Sequence, residues 1–151
     1  MKKEKEKQSM KYIQITSEKD KDIPYLISVH QLPEISRYLS INEKEYFKYV
    51  TATDNVFYYK VYKDERLAAA IHCELFDQIL YMSIVVMPEY QKQGIGTAIL
   101  HDIQNRVLPL QYTHIKVSIE KTNVASLKLF QKMSFTKISE DEELLNYIYP
   151  A

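Results

Sequence analysis

The sequence predicts one mixed α/β (α+β) domain, with a central, mostly antiparallel sheet of about six to seven strands flanked by about four helices. Three observations predict it. Residues 56–87 hold runs of β-branched and aromatic residues separated by short polar turns, residues 95–108 and 123–133 repeat apolar residues at helical spacing, and strand patterns stand between and after those helices. A chain of 151 residues that is 46% hydrophobic suits a single domain burying roughly 70% of its unfolded surface.

Residues 1–10, a lysine and glutamate mixture with no apolar stretch behind it, read as a disordered tail rather than a signal peptide or membrane anchor. The domain then occupies residues 11–151. Residues 12–15 form a short first strand, and residues 23–39 form helical segments interrupted at Pro24 and Pro33. Residues 43–50 continue the helical part, because Tyr46, Phe47 and Val50 recur at helical spacing. Residues 56–62 and 67–76 form a hairpin around Lys63, Asp64 and Glu65. In the second of these runs, Leu67, Ala69, Ile71, Cys73 and Leu75 share one face; Ala68, Ala70, His72, Glu74 and Phe76 share the other. A two-residue turn at Asp77-Gln78 sets the next register, pairing Leu75 with Leu80, Cys73 with Met82, Ile71 with Ile84, Glu74 with Tyr81 and His72 with Ser83. Ile95, Ala98, Ile99, Ile103 and Val107 mark a helix that Pro109 stops near Leu108. A strand at residues 114–119 follows. Asn123 then caps a helix to about Met133 that buries Val124, Leu127 and Phe130 or Leu129. Residues 135–138 and 144–149 are two last strands around an acidic turn.

Twenty basic residues balance twenty acidic ones, so composition gives no reason to expect a nucleic-acid or membrane partner. The lone Cys73 cannot form an internal disulfide and lies in an apolar strand, which points to a reducing, cytoplasmic setting and a buried inert thiol. No metal is expected.

Glycine usage is the most telling fact of composition. Average usage would place about ten glycines in a chain of this length, yet there are two, Gly94 and Gly96. They stand between a strand and a helix, where the first N–H groups of the helix lack intrahelical partners and sit at the positive end of its dipole. Phosphate is the ligand such a turn suits, and a glycine lets it approach the amides. A P-loop needs a Gly-Lys-Ser/Thr ending, which is absent, and a Rossmann turn needs a third glycine where Ile99 stands.

Gln91-Lys92-Gln93-Gly94-Ile95-Gly96 resembles the cofactor signature of the Gcn5-related N-acetyltransferase (GNAT) family: Gln or Arg, two residues, Gly, one residue, then Gly or Ala. The approach, residues 84–90, looks like that family's fourth strand and Pro-containing turn. A second block, residues 123–135, is similar to the family's Asn-x-x-Ala-x-x-Leu-Tyr-x-x-x-Gly-Phe helix; Asn123, Leu129 and Phe135 match, whereas Ser126, Phe130 and Ser134 replace Ala, Tyr and Gly.

The resemblance implies a GNAT-type sheet and transfer of an acetyl group from acetyl-CoA to a primary amine. Backbone amides of Lys92, Gln93, Gly94, Ile95, Gly96 and Thr97, with Gln91, would hold the cofactor pyrophosphate. Ile84, Val85 and Val86 would pair with its pantetheine arm, and Asn123 and Phe130 would contact it. The family tyrosine that protonates the leaving thiolate is Phe130 here. An ammonium is almost wholly protonated at neutral pH, so a base or water relay is needed. His72, Glu74, Tyr81 and Glu120 are the candidates, with the Val86 N–H as oxyanion donor. The same residues allow a non-catalytic acyl-CoA-binding sensor that has lost the acid, or a structural domain whose glycines only make a turn. A homodimer is the expected assembly, and the acceptor amine is left open.

Overall fold

The computed structural model describes residues 10–36 and 43–150. The expected tail therefore lies outside the described residues except for Met10, which opens the first strand instead of ending the tail. Strands β1 (Met10–Gln14), β2 (Val56–Lys63), β3 (Arg66–Phe76), β4 (Ile79–Val86), β5 (His114–Glu120), β6 (Thr136–Glu140) and β7 (Leu144–Pro150) form one seven-stranded sheet in the order β1-β2-β3-β4-β5-β7-β6. All neighbours are antiparallel except β4 and β5, so the mixed, mostly antiparallel sheet holds. The register expected between β3 and β4 holds at all five pairs, Glu74 with Tyr81 and His72 with Ser83 among them.

Among the described residues five α-helices cover the two faces: α1 (Ile23–His30), α2 (Pro33–Ser36), α3 (Glu43–Ala52), α4 (Ile95–Gln104) and α5 (Val124–Lys132). Pro24 sits in the first turn of α1, where a missing N–H costs nothing. The alternation of β3 divides the core in two. Ile71 and Cys73 point to the α4 and α5 side, among Leu80, Ile99, Ile103 and Ile115. Ala70 points to the α1 and α3 side, among Leu26, Val29, Phe47, Val50 and Tyr58. Each buried Leu, Ile, Val or Phe among them contributes about 1.5–3 kcal/mol relative to leaving it exposed. Buried Lys60 of β2 reaches Asp20 at 2.9 Å and Asp22 at 2.8 Å, tying the segment before α1 to the sheet. Among the described residues no helix is long and apolar enough to cross a membrane.

Three sequence expectations are corrected. Helix α4 ends at Gln104 rather than Leu108; Arg106 turns to φ 64° and its Nη1 donates to the Tyr112 carbonyl at 2.8 Å, leaving Val107 47% exposed. Val124 is 55% exposed, because the first side chain of a helix leans back past its N-terminus, where no further turn covers it. Pro24 does not interrupt the helical segment either: α1 runs unbroken through it from Ile23 to His30, and the break comes at Gln31 and Leu32, before Pro33 opens α2.

Candidate active site

Strands β4 and β5 pair only at Ile79–His114, Leu80–Ile115 and Tyr81–Lys116. Beyond Tyr81, β4 keeps β3 on one side and, among the described residues, has no strand on the other. The backbone direction there follows from one bond. Met87 donates its N–H to the Ala68 carbonyl at 2.8 Å, toward β3. The carbonyl of that same peptide, on Val86, therefore points the opposite way, into the gap, as do the N–H groups of Val86 and Ile84 by the alternation of an extended strand.

The loop closing this gap is built by its own side chains. After β4 the chain makes a short 3-10 turn at Pro88–Tyr90, and Gln91 returns its Nε2 to the Val86 carbonyl at 3.1 Å. Gln93 donates to the Glu89 carbonyl at 2.7 Å, pinning the loop a second time. Lys92 (φ 63°) and Gly94 (φ 80°) turn the chain into α4, whose N-cap Gly94 offers no side chain to the first-turn amides. The two glycines serve different ends. A Cβ on Gly94 would meet nothing within 4 Å, so the amides there lie open. A Cβ on Gly96 would meet Leu129 Cδ2 at 3.0 Å, so Gly96 lets α4 and α5 pack closely.

The gap, the loop and the start of α5 enclose one cleft of about 480 Å³. It is lined by Ile84, Val85, Val86, Gln91, Lys92, Gly94, Ile95, Gly96, Thr97, Asn123 and Phe130. Gln93 stands outside this lining, its side chain committed to Glu89. Asn123 caps α5, its Oδ1 accepting from the Ser126 N–H at 3.3 Å. Phe130 is buried against Phe135. Glu34 and Ile35 of α2 also line the cleft, which sequence reasoning missed because α2 is too short to leave a periodic signal.

On the α1 and α3 face lies a second cluster. His72 Nδ1 meets the Tyr46 hydroxyl at 2.6 Å, and Nε2 meets Glu74 Oε2 at 2.7 Å. The Tyr49 hydroxyl donates to the same oxygen at 3.1 Å. Burial and then the Glu74 charge push the Tyr46 phenol far above its ordinary range, so it stays a donor. Behind it, buried His30 meets the Tyr58 hydroxyl at 3.0 Å; burial and the nearby His72 push its pKa down to about 4. Tyr81 stands opposite Glu74. Glu120 does not join these groups: it ends β5 opposite Leu144 and lines neither this cluster's cavity nor the cleft. Tyr46 and Tyr49, three residues apart on α3, were read without roles; the polar face of β3 that they cover was the available signal.

A family model of the acetyltransferase (GNAT) family matches residues 23–135. The chain belongs to the GNAT family. No curated protein matches it in sequence. Its fold resembles that of the Campylobacter jejuni N-acetyltransferase PseH in complex with acetyl coenzyme A, at 18% identity and a TM-score of 0.77, covering 94% of this chain and 99% of that one. It also resembles a domain from Methanocaldococcus jannaschii (16% identity, TM-score 0.81, 96% and 100% covered) and the ribosomal-protein-S18-alanine N-acetyltransferase of Escherichia coli (15%, 0.72, 94% and 94%). Within this GNAT fold, Ser134 occupies the signature glycine position at φ 73°.

Proposed function

We propose that the protein transfers an acetyl group from acetyl-CoA to a primary amine by direct attack of the amine on the thioester. The observation that carries this reading is the juxtaposition, in one cleft, of an unpaired β4 edge and uncapped helix amides. An extended arm bearing amides suits the former, as an added strand would. A pyrophosphate suits the latter. The open space at Gly94 supports the fit, since nothing there holds phosphate oxygens away from the backbone. Ile84, Val85 and Val86 would hold the pantetheine arm, residues 91–97 the pyrophosphate, and Asn123 and Phe130 the arm's far side. Of the N–H groups directed into the gap, those of Ile84 and Val86, the one beside the thioester would stabilise charge on its oxygen.

A neighbour's bound acetyl coenzyme A on the same fold supports the choice of cosubstrate. The buried thiol of Cys73 fits a reducing compartment such as the cytoplasm. Phe130 favours a second reading, a non-catalytic acyl-CoA sensor, because no hydroxyl stands at the position of the family's acid. Thiol release from acetyl-CoA across a panel of amine classes separates the two. Release with any amine supports transfer; tight binding with no release from any amine supports the sensor.

A further inference from the structure

Beside the Tyr46–His72–Glu74 cluster lies a cavity of about 490 Å³ walled by Tyr49, Val56, Glu74, Phe76 and Tyr81. Of the three hydrogen-bonded residues, Glu74 alone lines it. A carboxylate only accepts, so His72 must carry its proton on Nε2, and Nδ1 then accepts from Tyr46. Both ring nitrogens are thereby occupied, and His72 has none to offer an amine. The donors from His72 and Tyr49 converge on Oε2, which, among the described residues, leaves Glu74 Oε1 for a ligand. The cavity walls are unusually exposed aromatics, Phe76 at 71%, Tyr49 at 42% and Tyr81 at 38%. Lys116 Nζ, 6.0 Å from the Tyr81 ring centroid, already takes that ring, so Tyr49 and Phe76 are the walls left for a ligand's stem. The cavity abuts β4 at Tyr81, where β5 departs, and the cleft begins at Ile84, about 10 Å further along the strand.

We infer that this cavity receives the ammonium group of a primary alkylamine with an apolar or aromatic stem, that Glu74 deprotonates it, and that His72 and Tyr46 are positioning residues behind Glu74. The inference rests on the transfer reading above. Glu74 Oε1 takes one proton from the ammonium, and the freed nitrogen bonds to the thioester carbonyl carbon as the carbon–sulfur bond breaks. The sulfur leaves as thiolate and takes a proton, while the nitrogen gives up its second. The products are amide, thiol and one net proton, which leaves to solvent from the part-exposed Glu74.

The test uses 2-phenylethylamine as acceptor, thiol release as the assay and acetyl-CoA titration as the control for folding. Glu74→Gln is expected to lower kcat about a hundredfold or more near neutral pH with acetyl-CoA affinity unchanged. Its rate should then climb about tenfold per pH unit toward the amine's own pKa, because only free amine in solution reacts. Should Glu74→Gln not fold, Glu74→Asp, which keeps the charge but withdraws it by one methylene, should show the same fall in smaller measure. Tyr46→Phe and His72→Gln should lower kcat by smaller factors and shift the pH profile. A His72 that only supported the fold would lower thermal stability and leave that profile alone. Wild type that acetylates amines while Glu74→Gln matches it within threefold overturns the base assignment alone, and wild type that acetylates other amines but not 2-phenylethylamine overturns the stem. Wild type that binds acetyl-CoA and acetylates no amine overturns the transfer reading and this inference together.

Discussion

Phe135 donates its backbone N–H to the Phe130 carbonyl at 3.0 Å and sets its ring edge-on to that of Phe130, 5.0 Å between centroids. With the Ser134 N–H bonded to the Gln131 carbonyl at 3.1 Å, this is a Schellman ending to α5. The motif needs a left-handed residue, and Ser134 fills it at φ 73°. A β-carbon in that conformation costs roughly 1 kcal/mol, so Ser134→Gly should raise unfolding free energy by about that amount in urea titration. An unchanged or lower midpoint would contradict a strain cost at Ser134.

Phe130 lines the cleft and cannot donate a proton. If it stands where an acid would, Phe130→Tyr should leave kcat unchanged or raise it. A fall of about tenfold, roughly 1.4 kcal/mol of barrier, with acetyl-CoA affinity intact, would count against that account.

Lys60 is buried between two carboxylates, and the Asp22 carboxyl also accepts from Tyr62. Although burial alone would raise it, hydrogen bonds from Lys60 and Tyr62 hold Asp22 below the ordinary carboxylate range. Removing the buried cation takes its cationic partner from Asp20 and, among the described residues, leaves Asp22 only Tyr62 and the exposed Lys21 at 3.6 Å, so Lys60→Met should cost about 3 kcal/mol. The triple variant Lys60→Met, Asp20→Asn, Asp22→Asn should recover much of that loss. Equal stability of single variant and wild type would show that the cluster is solvated.

His30 is 2% exposed, and burial together with His72 lowers its pKa from 6.5 to about 4. The fold therefore refuses a proton that the unfolded chain accepts. Its contribution is complete above about pH 6.5 and falls as pH drops toward about 4, by on the order of 3 kcal/mol. Denaturant titrations at both ends of that window should show a steeper loss for wild type than for His30→Gln. Parallel losses would remove His30 as the cause.

Cys73 is fully buried, and burial pushes its thiol up to about 12. A disulfide reagent should label it only after denaturation, and rapid labelling of the native protein would contradict this packing.

The hairpin from β3 to β4 was legible in the sequence because one two-residue turn, Asp77-Gln78, fixes parity for every pair that follows. The loop was legible because the only two glycines mark it. Their separate duties were not: the contact of Gly96 with Leu129 joins helices distant in sequence. That Glu120 stands apart from His72, Glu74 and Tyr81 was not legible either, since spacing along β5 says which face a side chain takes but not that β5 leaves β4 after Lys116. Tyr46 and Tyr49 stayed mute because helical spacing reveals a buried stripe without revealing which polar strand lies beneath it. Residues 37–39, read as helical, lie outside the described residues.

Diphosphate recognition by bare backbone at the start of α4 is the claim on which the transfer reading rests. Calorimetric titration of acetyl-CoA into wild type, Gly94→Val and Gly96→Val tests this most directly. Saturable binding by wild type, weakened at least tenfold (about 1.4 kcal/mol) in the Gly94 variant while the fold persists, is the predicted result. No binding by wild type, or wild-type affinity in both variants, would contradict it.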